Sequence, residues 1–312
     1  MRRLSRALGV LVSVAAVLLG LGFRADRPAA AVEGRRALAP SRFVDASGLR
    51  VHVRDRGDGP AVVLLHGSNS SLFTWEGWTR TLARDHRVVA FDLPGHGLTG
   101  PDPLGRYDAA QMASFVDDVT RALGLGRFTL VGNSMGGNVA WHYALAHPEH
   151  VERLVLVDAA GLPRDEPPVF AMRVFAHPVF GRVARWVTPR FLIRRSVLDV
   201  YAEPSRVTDA AVDLYEDLLL REGNREATRL RRRRSMTDGA EARLGELRVP
   251  TLVLWGARDR WILPKYGERF HARIPGSSLV VLPNLGHVPM EEDPDASVLP
   301  VVDFLRRSAD RR

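Results

Sequence analysis

Leu130-Val131-Gly132-Asn133-Ser134-Met135-Gly136-Gly137 decides how the rest of this 312-residue chain is read. An apolar run, residues 128–131, enters Gly-x-Ser-x-Gly, and a helix-compatible stretch, residues 138–146, leaves it. The pattern predicts a serine on a sharp strand-to-helix turn, pushed out over the end of a sheet. Its glycines have a mechanical reason. So tight a turn brings neighbouring backbones close and strains the serine, which leaves no room for side chains two positions away on either side. The helix that follows aims backbone N–H groups at any charge developing on an oxygen there.

Outward from that turn the chain alternates short strands with helices. Residues 43–45 and 49–54 flank Ser47-Gly48 as a hairpin. Apolar strands of the buried kind are expected at 61–65, 87–91 and 128–131, with helices at 75–84 and 109–123 between them, and further strands at 153–157, 251–255 and 278–282. Strands this apolar, alternating with amphipathic helices, predict a parallel sheet covered on both faces. The rhythm breaks between Asp158 and Leu247, where proline-punctuated helical pieces are expected at 169–186, 191–200, 208–221 and 225–235. An insertion of that length predicts a helical lid over the carboxyl edge of the sheet, where open α/β sheets bind ligands. Phe170, Met172, Phe175, Phe180 and Trp186 are candidates for its inner side, and Arg231 to Arg234 reads as a solvated helix face.

A serine hydroxyl is a poor nucleophile near neutral pH and needs a histidine as base, with a carboxylate to orient it. The strand at 251–255 leads into Gly256-Ala257-Arg258-Asp259, and that at 278–282 leads into Asn284-Leu285-Gly286-His287. Both side chains therefore fall at the same sheet edge as Ser134, in the order Ser, Asp, His. Asp158 also ends a strand and is the alternative acid; Asp92, in Asp-Leu-Pro-Gly-His-Gly, reads as structural. His66 is expected to shape its loop, and His96, His142 and His147 are poorer bases by position. An oxyanion hole needs two N–H donors: Met135, directly after the serine, and Ser68, in the loop after the first buried strand.

Composition narrows the alternatives. The hydrophobic share of 46% and charged share of 26% are those of a globular protein. The formal charge of +8 is carried almost wholly by arginine, Lys265 being the only lysine, and no nucleic-acid motif accompanies it, so a nucleic-acid partner is not expected. The absence of cysteine excludes disulfides, thiolate metal sites and a cysteine nucleophile. Arg2, Arg3 and Arg6 precede an uncharged run from Ala7 to Phe23, which as a helix spans about 25 Å. Residues 1–23 therefore read as a membrane anchor, or alternatively a cleaved signal with Ala29-Ala30-Ala31 as its site. Either way the catalytic part is expected on the extracytoplasmic side. Residues 24–41, rich in Ala, Arg and Pro, read as a linker. Residues 42–158 and 248–312 read as the two parts of one core, and 159–247 as its lid.

Five stretches in this order carry a family resemblance: His66-Gly67, Asp92-Leu93-Pro94-Gly95-His96-Gly97, Gly132-Asn133-Ser134-Met135-Gly136-Gly137, Trp255-Gly256-x-x-Asp259 and Gly286-His287. On them the chain resembles the α/β-hydrolase superfamily from about Arg42 to Phe304. The resemblance implies an eight-stranded, mostly parallel sheet with the lid inserted after the sixth strand. It also implies a Ser134–Asp259–His287 triad, an acyl-enzyme intermediate, and neither cofactor nor metal. Dehalogenases and epoxide hydrolases of the superfamily carry aspartate where this chain has Ser134. The elbow looks like that of hydrolases cleaving carbon–carbon bonds in ring-fission products. Those usually show Gly-Pro-Gly after the His-Gly pair and Trp after the catalytic histidine; here stand Asn69-Ser70-Ser71 and Val288. The expected function is therefore a carboxylesterase or lipase acting on a small-molecule ester with a substantial apolar part. A carbon–carbon bond hydrolase and a non-catalytic binding protein of the same fold are the alternatives.

Overall fold

The computed structural model describes residues 23–166, 186–232 and 237–307. Its strands are β1 Ser41–Ala46, β2 Leu49–Arg56, β3 Ala61–Leu65, β4 Arg87–Phe91, β5 Phe128–Asn133, β6 Val151–Val157, β7 Thr251–Gly256 and β8 Ser278–Leu282. Its helices are α1 Ala29–Arg36, α2 Glu76–Leu82, α3 Ala109–Ala122, α4 Met135–Ala146, α5 Arg190–Val200, α6 Asp209–Leu219, α7 Asn224–Arg231, α8 Lys265–Arg273, α9 Pro289–Glu292 and α10 Pro294–Arg307. The strands form one sheet in the order β1-β2-β4-β3-β5-β6-β7-β8. It is antiparallel at the β1–β2 and β2–β4 pairs and parallel elsewhere.

The side-chain pattern explains the two-sided cover. Along β3, Val63 and Leu65 enter one core while Val62 and Leu64 enter the other, and all four are fully buried. Each contributes about 1.5–3 kcal/mol by leaving water. One core is closed by α3, α4 and α8 through residues such as Phe115, Trp141 and Phe270. The other is closed by α2 and α10, tied together where Trp78 Nε1 donates to Ser297 Oγ at 2.8 Å. Helix α3 starts at a capping box, with Asp108 accepting from the Gln111 N–H. The helix after Ser134 starts at Met135, earlier than the expected residue 138. Gly136 and Gly137 are poor helix formers and disguised its first turn.

Between β6 and β7 the described residues form α5, α6, α7 and a 3₁₀ turn at Ala240–Glu246, in keeping with a helical insertion. The expected first piece, 169–186, and the lid candidates Phe170 to Phe180 lie outside the described residues except Trp186, whose indole is 48% exposed. Of the expected anchor, residues 1–23, all but Phe23 also lie outside them. Among the described residues no helix is long and apolar enough to cross a membrane.

The segment expected as a linker differs from that reading. It carries α1, buries Val32 completely, and lies against the inserted helices. The Arg27 N–H donates to Leu220 O and the Glu222 N–H to Arg27 O at 2.9 Å. The buried Asp217 of α6 binds Arg27, Arg35 and Arg36 together. Arg225 of α7 binds Asp26 at 2.6 Å. Sequence alone could not reveal this, because the acidic partners lie far along the chain.

Asp92, at the end of β4, holds the loops around the sheet edge together. It accepts from the Leu72 and Leu98 N–H groups and from His52 Nδ1, each at 2.7 Å, and is fully buried. Burial alone would raise its pKa, but His52 and the backbone donors outweigh that and hold the carboxyl below its ordinary range. A depressed carboxyl adds stability above its unfolded pKa of about 3.9, lost as pH falls through the folded value. Asp92→Asn should flatten that acid-side loss in thermal melts, and Asp92→Ala should cost about 3–5 kcal/mol in urea unfolding at neutral pH.

Candidate active site

The turn after β5 is as tight as its glycines imply. A Cβ at Gly132 would meet Gly136 O at 2.2 Å, and one at Gly136 would meet Leu65 O at 2.3 Å. Ser134 itself sits at φ 53° and ψ −116°, outside the ordinary regions for an L-residue, and is half-buried. Its N–H donates to Val157 O and its carbonyl accepts from Asn138 and Ala160, so the strained backbone is pinned on both sides.

The parallel register brings the ends of β7 and β8 to the same edge. There His287 Nδ1 and Asp259 Oδ2 are 2.7 Å apart, both groups buried. Asp259 Oδ1 accepts from the Trp261 and Ile262 N–H groups at 2.7 and 3.0 Å, which fixes the carboxylate and hence the imidazole. The Trp261 ring stacks beside His287, with centroids 6.1 Å apart. Asn133 Nδ2 donates to His287 O at 3.0 Å and to Val157 O at 3.2 Å, tying the turn to the histidine loop. Among the described residues the Ser134 hydroxyl makes no hydrogen bond; in unliganded hydrolases that contact is often long and tightens on substrate binding.

Neither the Ser68 nor the Met135 N–H has an intramolecular acceptor among the described residues. Gly67 lies against the turn, since a Cβ there would be 3.2 Å from Ser134 Cβ. Met135 follows the serine directly and Ser68 follows Gly67, so both donors belong to segments that border Ser134. His66 shapes this loop as expected: its Nε2 accepts from the Leu93 N–H at 3.0 Å, its Nδ1 meets Gly67 O at 2.7 Å, and burial lowers its pKa. His96 and His142 likewise contact nearby backbone carbonyls. Asp158, the alternative acid, does not reach His287 by a hydrogen bond; its Oδ1 accepts from the Gly256 N–H at 2.9 Å.

Two supporting residues were not legible in the sequence. Arg231, expected on a solvated face, is buried: its Nη2 donates to Ser68 Oγ at 3.0 Å and to Asn69 Oδ1 at 3.1 Å. Burial, then the neighbouring Arg232 charge, lowers its pKa. The i, i+4 spacing of Ala227 and Arg231, both buried on α7, was the available signal. Glu292 is the second. It accepts the N–H groups of Gly286 at 2.8 Å, Ala202 at 3.0 Å and Glu203 at 2.7 Å, joining the histidine loop to the insertion.

A cavity of about 250 Å³ lies between the Asn69–Ser71 loop and α6, lined in part by Phe73, Leu214, Tyr215, Leu218 and Met290; Ser134, Asp259 and His287 are not among its lining residues. Asp117, His147 and His150 could present three metal-ligand atoms near the surface, but Asp117 is already bonded to Arg121 and to the Tyr143 hydroxyl.

The α/β-hydrolase fold family model matches residues 60–294, and the chain belongs to that family. It is a hydrolase of that fold. It is 28% identical to a 2-hydroxy-6-oxononadienedioate/2-hydroxy-6-oxononatrienedioate hydrolase of Comamonas testosteroni, over 83% of this chain and 92% of the other. Among solved structures it resembles a bacterial membrane phospholipase A, with TM-score 0.77, 28% identity and 99% of both chains covered. It also resembles a meta-cleavage product hydrolase of Pseudomonas fluorescens IP01, with TM-score 0.75, 25% identity, 86% of this chain and 98% of the other.

Glu292→Gln places an amide N–H₂ against backbone donors. It should destabilise the fold by about 1–3 kcal/mol and speed amide hydrogen exchange at Gly286 and Ala202, measured together by mass spectrometry.

Proposed function

We propose that the protein is a serine hydrolase of carboxylic esters, acting on acyl esters of membrane lipids. The observation that carries the chemistry is the 2.7 Å Asp259–His287 pair at the sheet edge occupied by the strained Ser134. Ser134 Oγ attacks the ester carbonyl as His287 Nε2 takes its proton. The Ser68 and Met135 N–H groups hold the oxyanion, at a value of about 3–4 kcal/mol for a comparable donor. The tetrahedral intermediate collapses with the His287 proton passing to the leaving alcohol, which leaves an acyl-enzyme. Water, deprotonated by His287, then attacks that acyl group; the proton returns to Ser134 Oγ and the acid departs. Asp259 stays ionised and supports the imidazolium in both halves.

The choice of lipid ester rests on the extent of likeness. The phospholipase is matched over 99% of this chain, the meta-cleavage hydrolase over 86%. Anchoring through residues 1–23, with the hydrolase domain on the extracytoplasmic side, belongs to the same proposal. It is supported by the arginine-flanked apolar run and by where that run ends. Phe23 is 51% exposed and stacks on the half-exposed Trp186, centroids 6.3 Å apart, the amphipathic aromatic chemistry favoured at a membrane–water boundary. Carbon–carbon bond cleavage is the second reading, favoured by the Comamonas relative.

Ser134→Ala should abolish turnover of p-nitrophenyl esters and labelling by a fluorophosphonate probe; full activity of the purified variant would sink the mechanism. Faster turnover of a ring-fission dienoate than of any ester or phospholipid would favour the second reading. Full-length protein should sediment with membranes, be released only by detergent, and retain Met1 or the residue after it as its N-terminus. A soluble form beginning after Ala31 would replace the anchor by a cleaved signal.

A further inference from the structure

Three carboxyl groups and one imidazole share the buried space behind the sheet edge. Asp158 is 0% exposed, Asp259 2% and Glu292 5%. One side-chain oxygen or nitrogen from each of Asp158, Asp259 and His287 lies within 4.8 Å of the other two. Like charges so close and so dry cannot all ionise, and the hydrogen-bond donors decide which group stays neutral.

Asp259 accepts three donors: the Trp261 and Ile262 N–H groups and His287 Nδ1. Glu292 also accepts three, all backbone N–H groups. Among the described residues Asp158 accepts one, from Gly256, and its buried Oδ2 has no partner. A carboxylate oxygen without a donor, beside another carboxylate, is the costliest place for a charge; the same oxygen carrying a proton becomes a donor with an acceptor at hand. We propose that Asp158 is a neutral carboxylic acid at neutral pH, its Oδ2–H donating to the Asp259 carboxylate, and that it is a positioning residue keeping one negative charge behind His287 rather than two.

The electrostatics agree with the geometry. Burial, then the Asp259 charge, push the Asp158 carboxyl well above the usual carboxylate range; Glu292 adds to the push and only the Gly256 N–H opposes it. The kinetic consequence rests on the serine-hydrolase reading above; the protonation state does not.

Asp158→Asn in the full-length protein tests this, because an amide keeps both an acceptor for Gly256 and a donor for Asp259 and cannot ionise. On a soluble p-nitrophenyl ester, kcat/KM should fall no more than a few-fold at neutral pH. Stability supplies an independent readout. A carboxyl with a raised folded pKa gives stability fully present below its unfolded pKa and lost as pH rises through the folded value. The melting temperature of Asp158→Asn should therefore gain on that of the wild type as pH is raised. The infrared carbonyl band of a protonated carboxyl, present in the wild type at neutral pH, should be lost in the variant. A melting-temperature difference that stays the same at every pH, a hundredfold loss at neutral pH in a folded variant, or a neutral-pH infrared spectrum unchanged by the substitution would each overturn the proposal. If neither protein cleaves esters, the serine-hydrolase reading falls, and the infrared and melting data still decide the state of Asp158.

Discussion

Everything at the sheet edge depends on how closely the chain after β5 passes the end of β3. Gly136 lies so near Leu65 O, and Gly132 so near Gly136 O, that a single Cβ at either would force the backbones apart. That approach lets Ser134 stand at φ 53° above the sheet with a helix starting on the next residue. The strain is held by ordinary hydrogen bonds: Ser134 to Val157, and Asn138 and Ala160 to Ser134. A looser turn would let the serine relax into an ordinary region and retreat from the loop carrying His287.

The second constraint is the satisfaction of buried polar groups around that turn. Asp92, Asp259 and Glu292 each gather three donors, drawn from more than one segment, and so join the ends of separate strands into one rim. Each carboxylate would be costly alone in so dry a place and is stabilised because the chain supplies oriented N–H groups. Asp158 departs from this arrangement, and its single donor sets it apart chemically from its neighbours.

What could be read from the sequence follows from the range of the forces involved. The strands of the parallel sheet were legible because two-sided burial leaves runs such as Val62 to Leu65 without polar interruption. Ser134, Asp259 and His287 were legible as candidates because topology places every parallel strand end at one edge. Arg231 was not, since a run of arginines reads as a solvated face unless the acceptors at Ser68 and Asn69, some 160 residues away, are known to meet it. The strap at residues 24–41 was missed for the same reason: its arginines pair with Asp217, and α6 is remote in sequence. Long-range charge pairing leaves no periodic trace.

These long-range bonds make the insertion more than a cover. Arg231 ties α7 to the Ser68–Asn69 loop, Glu292 ties the start of the stretch after α5 to Gly286, and the His287 N–H donates to Val200 O at 2.8 Å. Residues 24–36 grip α6 and α7 from the other side through Asp217 and Arg225. A rigid displacement of α5 to α7 must therefore break buried, charge-assisted bonds or carry the histidine and donor loops with it. Either costs far more than sliding an apolar lid across an apolar rim. In this fold the position of the inserted helices and the geometry around Ser134 are set by the same bonds, so a change in one is felt in the other.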